Sequence, residues 1–258
     1  MQADQQATAL WAEDGGVAVV TLNRPAVRNA VDAAMARAVS GLLDRFENDA
    51  ALSVCVITGA AATFCAGMDL KAFARGESAR FGDDGFLGFT GRRLRKPVIA
   101  AVEGAALGGG LETALACDLV VCAENARLGL SEVRRGLIAA GGGLLALPRK
   151  VPLNLAMEMA LTGEPIDGRR ACEIGLANRA TAPGEALAVA REMAGLIARN
   201  APLAVAASKQ ILLDQQDWPR ADARALQAPL ADAIRRSQDA AEGARAFAEK
   251  RPPVWRGR

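Results

Sequence analysis

The chain of 258 residues contains no histidine and no tyrosine. Without imidazole there is no Ser-His-Asp triad, no Cys-His pair and no histidine-ligated metal site. Proton transfer must then fall to carboxylates, lysine, thiols or bound water. Cysteine is sparse: Cys55, Cys65, Cys117, Cys122 and Cys172 are odd in number and lack C-x-x-C spacing. Four of them sit in apolar stretches and read as small core residues, a pattern that fits a reducing cytoplasm rather than a disulfide framework. No uncharged apolar run reaches the roughly 18 residues of a membrane span, so no membrane partner is expected. Residues 1–10 show neither a basic n-region nor an apolar h-region, and no signal peptide is expected. A large excess of one charge is also missing. The 31 basic and 29 acidic side chains leave a net charge of +2, which argues against nucleic acid as the main partner.

What is present is ordinary for a globular protein, at 51% hydrophobic and 23% charged. The length allows one α/β domain or a domain with an appendage. Residues 17–22, 53–58, 97–102 and 118–122 read as uniformly apolar strands. Asn29 or Asp32 can cap a helix that carries Met35, Val39, Leu42 and Phe46 at helical spacing. Strands of this kind, separated by helices, imply a sheet covered on both faces. Residues 72–90 differ, with Phe73, Phe81, Phe86 and Phe89 set among glycines and charges. A long irregular segment inside a compact domain is more often functional than accidental. From residue 183 onward the pattern is helical, with stripes at Leu187, Ala190, Ala194 and Ile197 and at Ala204, Ser208, Ile211 and Leu212. Residues 221–250 are rich in alanine, and such narrow helical faces often complete their burial against another subunit. A boundary is expected near residues 196–202.

Two glycine-containing turns follow strands. One is Phe64-Cys65-Ala66-Gly67-Met68-Asp69-Leu70; the other runs from Gly104 through Gly108-Gly109-Gly110 to Glu112. Three adjacent glycines leave the backbone bare, so its N–H groups can approach a ligand, the more so if a helix starts there. Close helix–strand packing explains the same glycines equally well. G-x-x-x-G-G-G is not the dinucleotide fingerprint, and no P-loop sequence exists in the chain. Glu112 and Glu132 stand out because each sits in an otherwise apolar stretch. A glutamate forced towards a buried site has a raised pKa and becomes a usable acid or base near neutrality. The competing reading makes either one a solvated helix-face residue, and makes Asp69 and Asp118 caps or backbone acceptors.

Taken in order, these motifs resemble the crotonase superfamily of enoyl-CoA hydratases and isomerases over nearly the full length. The resemblance rests on Leu22-Asn23-Arg24-Pro25 with Asn29-Ala30, on the Phe64 to Leu70 turn, and on Lys96-Pro97-Val98-Ile99-Ala100-Ala101-Val102-Glu103-Gly104. It continues through Ala106-Leu107-Gly108-Gly109-Gly110-Leu111-Glu112, Ala116-Cys117-Asp118-Leu119, Leu161-Thr162-Gly163 and Phe247-Ala248-Glu249-Lys250-Arg251. The ending Val254-Trp255-Arg256-Gly257-Arg258 looks like the branch containing crotonobetainyl-CoA hydratases.

The resemblance implies an α/β fold: a crotonase-type spiral of β-β-α units over residues 1–196, then a C-terminal helical trimerisation region over 197–258. It implies a homotrimer, or a hexamer made of two trimers, acting on an acyl-CoA thioester. The backbone N–H groups of Met68 and Gly109 would form an oxyanion hole for the thioester oxygen. Glu112 and Glu132 match the two catalytic glutamates of the hydratases. Glu132 would be the main acid/base and Glu112 the partner that orients water. Coenzyme A would lie against Ala26, Val27, Arg28, Ala66, Gly67, Asp69 and Leu70, with Lys250 reaching the phosphates, sometimes across a subunit boundary. Arg92, Arg93, Arg95 and Lys96 would either assist by charge or form a solvated helix end. The phenylalanines of residues 72–90 would either line or cover the acyl pocket or simply fill the core, with Trp218 a further contributor to the pocket. Two departures bear on substrate preference: Ser131 stands where a proline is usual, and Ala139-Ala140 replace a proline–glycine pair. Retention of both glutamates favours hydration of a trans-2-enoyl-CoA, with isomerisation and a non-catalytic acyl-CoA-binding oligomer as alternatives. No metal, flavin or nicotinamide is expected. Family members that place a histidine or tyrosine in the site are excluded by composition.

Overall fold

The computed structural model describes residues 7–258, so the part of the signal-peptide expectation that concerns residues 1–6 lies outside the described residues. Along the chain come β1 (Ala9–Asp14), β2 (Val17–Leu22), α1 (Ala33–Asn48), β3 (Val54–Gly59), α2 (Leu70–Ala74) and β4 (Val98–Val102). Then follow β5 (Ala105–Leu107), α3 (Gly109–Ala116), β6 (Leu119–Ala123), β7 (Arg127–Gly129), α4 (Gly143–Lys150) and α5 (Leu153–Thr162). The chain closes with β8 (Ile166–Asp167), α6 (Gly168–Glu173), β9 (Arg179–Thr181), α7 (Ala186–Ala198), α8 (Pro202–Asp214), α9 (Ala223–Arg235) and α10 (Gln238–Ala248).

The four apolar runs read from the sequence form β2, β3, β4 and β6, neighbours in a six-stranded sheet of order β1-β2-β3-β4-β6-β9. Only β1 is antiparallel to its neighbour; the other pairs are parallel. The register sets Val19 beside Val56 and Val56 beside Ile99, and these side chains share one face. That face is covered by α7 through Ala186, Ala190 and Ala194. The opposite face, with Val20, Leu22 and Ile57, joins the main core with Met35, Val39, Leu43 and Phe46 of α1. Both faces are therefore buried, as the uniformly apolar strands require.

A second sheet of very short strands, β5-β7-β8, builds the site. The chain passes from β4 to β5 to α3, then from β6 to β7 to a 3-10 turn at Glu132–Arg135 and α4. The preceding repeat is abbreviated: after β3, Cys65 alone bridges Ala106 of β5 before α2 begins. Each repeat thus sends its second strand into the small sheet and turns there into a helix, the β-β-α spiral expected from the resemblance.

Buried polar groups tie these repeats together. Asp32 caps α1, accepting from Met35 N–H at 2.9 Å. Asn29, the other candidate cap, is fully buried and instead donates to Ala60 O and Thr63 O. Arg24 pairs with Asp32 at 3.0 Å and Asp69 at 3.1 Å. Asp118 accepts from Val98 N–H and from Lys209 Nζ, each at 2.7 Å, which anchors α8 to the sheet. Four of the cysteines are buried and Cys172 is half-buried. Burial pushes the thiols of Cys55, Cys65 and Cys122 up to about 12.

Candidate active site

The site forms where the Cys65 to Met68 segment meets β5 and the start of α3. Cys65 N–H donates to Ala105 O at 2.9 Å, and Leu107 N–H donates back to Cys65 O at 3.0 Å. This pairing holds Gly67 so close to α3 that a Cβ there would lie 3.3 Å from Gly109 N. Gly110 follows the same logic, because a Cβ on it would sit 2.2 Å from Cys65 O. Gly109 is the first residue of α3, so its N–H has no intrahelical acceptor. Among the described residues, Met68 N–H and Gly109 N–H donate to no protein acceptor. Both residues line a cavity of about 670 Å³. Gly109 is held to glycine by its packing: a Cβ there would lie 2.3 Å from Phe86 Cζ.

Glu112 lies one helical turn into α3 and is 4% exposed. Its Oε1 accepts from Gly143 N–H at 2.9 Å. Burial raises its pKa, while the backbone N–H groups of Gly143 and Gly141 and the charge of Arg80 pull it back. Glu132 opens the 3-10 turn after β7. Its Oε1 comes within 3.2 Å of where a Cβ on Gly108 would be. Burial raises its pKa too, and the neighbouring Glu112 charge adds to the rise. Glu132 Oε2 is buried and has no hydrogen-bond partner among the described residues. A buried carboxylate oxygen without a protein partner is costly, and its natural use is to hold a water or a substrate.

The two carboxylates and the two N–H groups therefore face one cavity. Val27, Arg28, Ala66, Gly67 and Leu70 also line it. Three expected residues are absent from that lining. Ala26 sits in the 3-10 turn Pro25–Val27 with only Val27 turned to the cavity. Asp69 is consumed as the cap of α2, accepting from Lys71 and Ala72 N–H and pairing with Arg24. Lys250 lies just beyond α10, away from the cavity of its own chain.

Of the four phenylalanines in residues 72–90, Phe73 and Phe86 line the cavity, whereas Phe89 is buried in the main core. Trp218 is not in the lining. Arg92, Arg95 and Lys96 neither assist nor form a helix end. Arg92 bonds Asp44 and Asp84, Arg95 bonds Glu47, and Lys96 Nζ donates to Phe46 O and Asp49 O, so all three fasten the segment before β4 to α1. Arg93 pairs with Asp214 of α8. Sequence reasoning passed over the glycines at 141–143, which cradle Glu112, and Arg80; a second run of three glycines was the available signal. Among the described residues no group of acidic, cysteine or histidine side chains is placed to hold a metal. No described helix is long and apolar enough to cross a membrane.

The family described as Enoyl-CoA hydratase/isomerase matches residues 12–258. A carnitinyl-CoA dehydratase from Proteus mirabilis is 42% identical over 252 residues, 95% of this chain and 96% of that one. An enoyl-CoA hydratase from Mycobacterium tuberculosis is 40% identical over 257 residues, 97% of each chain. Among solved structures, an enoyl-CoA hydratase from Mycobacterium tuberculosis H37Rv superposes with a TM-score of 0.96 at 47% identity, covering 98% of this chain and all of that one.

Proposed function

The chain belongs to the enoyl-CoA hydratase/isomerase family, and on that premise we propose that it hydrates a trans-2-enoyl-CoA to a 3-hydroxyacyl-CoA. The observation that carries the reading is the convergence of Glu112, Glu132, Met68 N–H and Gly109 N–H on one cavity. The thioester oxygen lies between the two N–H groups, which stabilise the enolate charge as it develops. Water held between the carboxylates adds syn across C2=C3. Glu132 takes one proton of the water as its oxygen bonds to C3 and passes that proton to C2, which regenerates the Glu132 carboxylate. Glu112, fixed by Gly143 N–H, orients that water. The reaction needs no metal, flavin or nicotinamide.

Coenzyme A rests on Val27, Arg28, Ala66, Gly67 and Leu70, and Lys250 meets its phosphates from a neighbouring subunit. The assembly is a homotrimer or a pair of trimers, with no nucleic-acid or membrane partner. Buried free thiols support a reducing cytoplasm as its compartment.

The test is hydration of crotonyl-CoA, followed by loss of the enoyl-thioester absorbance. Glu112→Gln and Glu132→Gln should each lower kcat about 10²–10⁴-fold, the usual share of a positioned acid or base. Full activity in either variant would sink the two-glutamate mechanism. Isomerisation needs one carboxylate only, so an isomerase would keep much of its rate in Glu112→Gln.

A further inference from the structure

Arg80 lies in the cavity lining on the segment that joins α2 to β4. Its backbone bridges Phe86 in antiparallel fashion. Phe81 N–H donates to Gly85 O at 3.0 Å and Leu87 N–H to Ala79 O at 2.9 Å, which pins the loop on either side. Residues directly opposite in such a pair send their side chains to the same side. Phe86 meets Gly109, so Arg80 is carried beside the ring that packs on the start of α3.

The surrounding carboxylates leave this guanidinium without an ion pair. Glu77, also in the lining, is taken by Arg75 at 2.8 Å. Arg135, across the cavity, donates to Ser131 O and Oγ. Among the described residues Arg80 has neither a side-chain hydrogen bond nor an ion pair. Phe86 also stands 3.1 Å from where a Cβ on Gly141 would lie, and Glu112 Oε2 stands 2.7 Å from the same point, so the Arg80–Phe86 pair enters the cavity at the end that holds Glu112. Arg28 lies instead with Val27 and Ala66, at the coenzyme A end.

We infer that this enzyme takes enoyl thioesters whose acyl chain ends in a carboxylate, which Arg80 grips from the pinned loop beside Phe86. The inference rests on the hydratase reading and names its substrate class. Acyl groups that end in a fixed cation meet like charge at the same position and are disfavoured.

The test compares kcat/KM for glutaconyl-CoA, which carries a terminal carboxylate, with that for neutral trans-2-pentenoyl-CoA of the same length. A trimethylammonio-crotonyl-CoA serves as the cationic probe. The native protein should favour glutaconyl-CoA over pentenoyl-CoA by about tenfold or more, the range of a charge-assisted hydrogen bond. Arg80→Gln should bring that ratio to one or below, Arg80→Lys should restore part of it, and the cationic probe should be the poorest substrate of the native protein. The ratio is the readout, because a damaged fold or an altered Glu112 lowers both substrates together. A contact between Arg80 and the coenzyme A phosphates would also cancel in it. A ratio near one in the native protein, or one that Arg80→Gln leaves unchanged, overturns the inference.

If none of the thioesters is hydrated, the hydratase reading fails, and competition binding of saturated glutaryl-CoA and pentanoyl-CoA decides the role of Arg80. A preference for glutaryl-CoA that Arg80→Gln abolishes upholds the carboxylate site. Equal binding overturns it.

Discussion

The burial that suits Glu112 to its proposed catalytic role costs the fold stability. Its carboxylate is 4% exposed and receives the Gly143 N–H, yet burial outweighs that bond and raises its pKa. A raised carboxyl pKa means the folded chain holds the proton more tightly than the unfolded chain does. Stability is then lost as pH rises from the ordinary carboxylate range through the raised value. Glu112→Gln removes the ionisation and keeps an oxygen for Gly143 N–H. Thermal unfolding should therefore show the variant melting above the native protein at pH 7. The gap should close as pH falls to about 4, where the native carboxyl is protonated as well. A constant gap, or a variant less stable at pH 7, would mean that the ionised carboxylate is not strained in the fold. Both glutamates were legible in the sequence because each interrupts an apolar stretch. The cradle of Glu112 was not, since Gly143 lies 31 residues along the chain and only the fold brings it back. Asp69 illustrates the converse: a motif position suggested a ligand contact, and the carboxylate is spent on capping α2 and pairing with Arg24.

At the scale of elements, the start of α3 is fixed by backbone against backbone. A Cβ on Gly110 would meet Cys65 O at 2.2 Å, and neither partner has a flexible end that can move aside. Gly110→Ala should cost about 1–3 kcal/mol in urea unfolding, as overpacking does. It should also lower kcat/KM, because the displaced segment carries Met68 and Gly109. Gly41 is the control: it lies in α1, and nothing stands within 4 Å of a Cβ there. Gly41→Ala should gain about 0.5–1 kcal/mol through helix propensity alone and leave kcat/KM unchanged. Equal effects at the two positions would refute the packing account of the glycine turn. The large elements could be read from the sequence because their signals are local: the apolar runs of β2, β3, β4 and β6, the Asp32 cap of α1, the alanine stripe of α7. The small sheet could not. Strands of two or three residues such as β5, β7 and β8 have no periodicity of their own and exist through partners far along the chain.

The isolated chain leaves a large apolar surface. Leu153, Met157 and Leu161 recur every fourth residue along one face of α5, with Leu161 70% exposed, and Phe247 at the end of α10 is 88% exposed. Apolar side chains left exposed along one helix face are the kind of surface that another subunit covers. Lys250 gives the proposed assembly a functional consequence: it does not line the cavity of its own chain, so its proposed contact with coenzyme A is made in a neighbour's. Sedimentation of the native protein should give three or six times the 26.8 kDa chain mass. The double variant Met157→Asp/Leu161→Asp should shift the distribution to the monomer. Calorimetric titration then separates assembly from simple damage. In the native assembly Lys250→Ala should weaken acyl-CoA binding about fivefold, the effect of ~1 kcal/mol for an exposed ion pair. In the monomeric background the same substitution should change nothing, because the lysine has no neighbouring cavity to reach. The two changes would thus be strongly non-additive, as expected when one contact depends on both. Additive losses would place Lys250 at its own chain's cavity and remove the cross-subunit site.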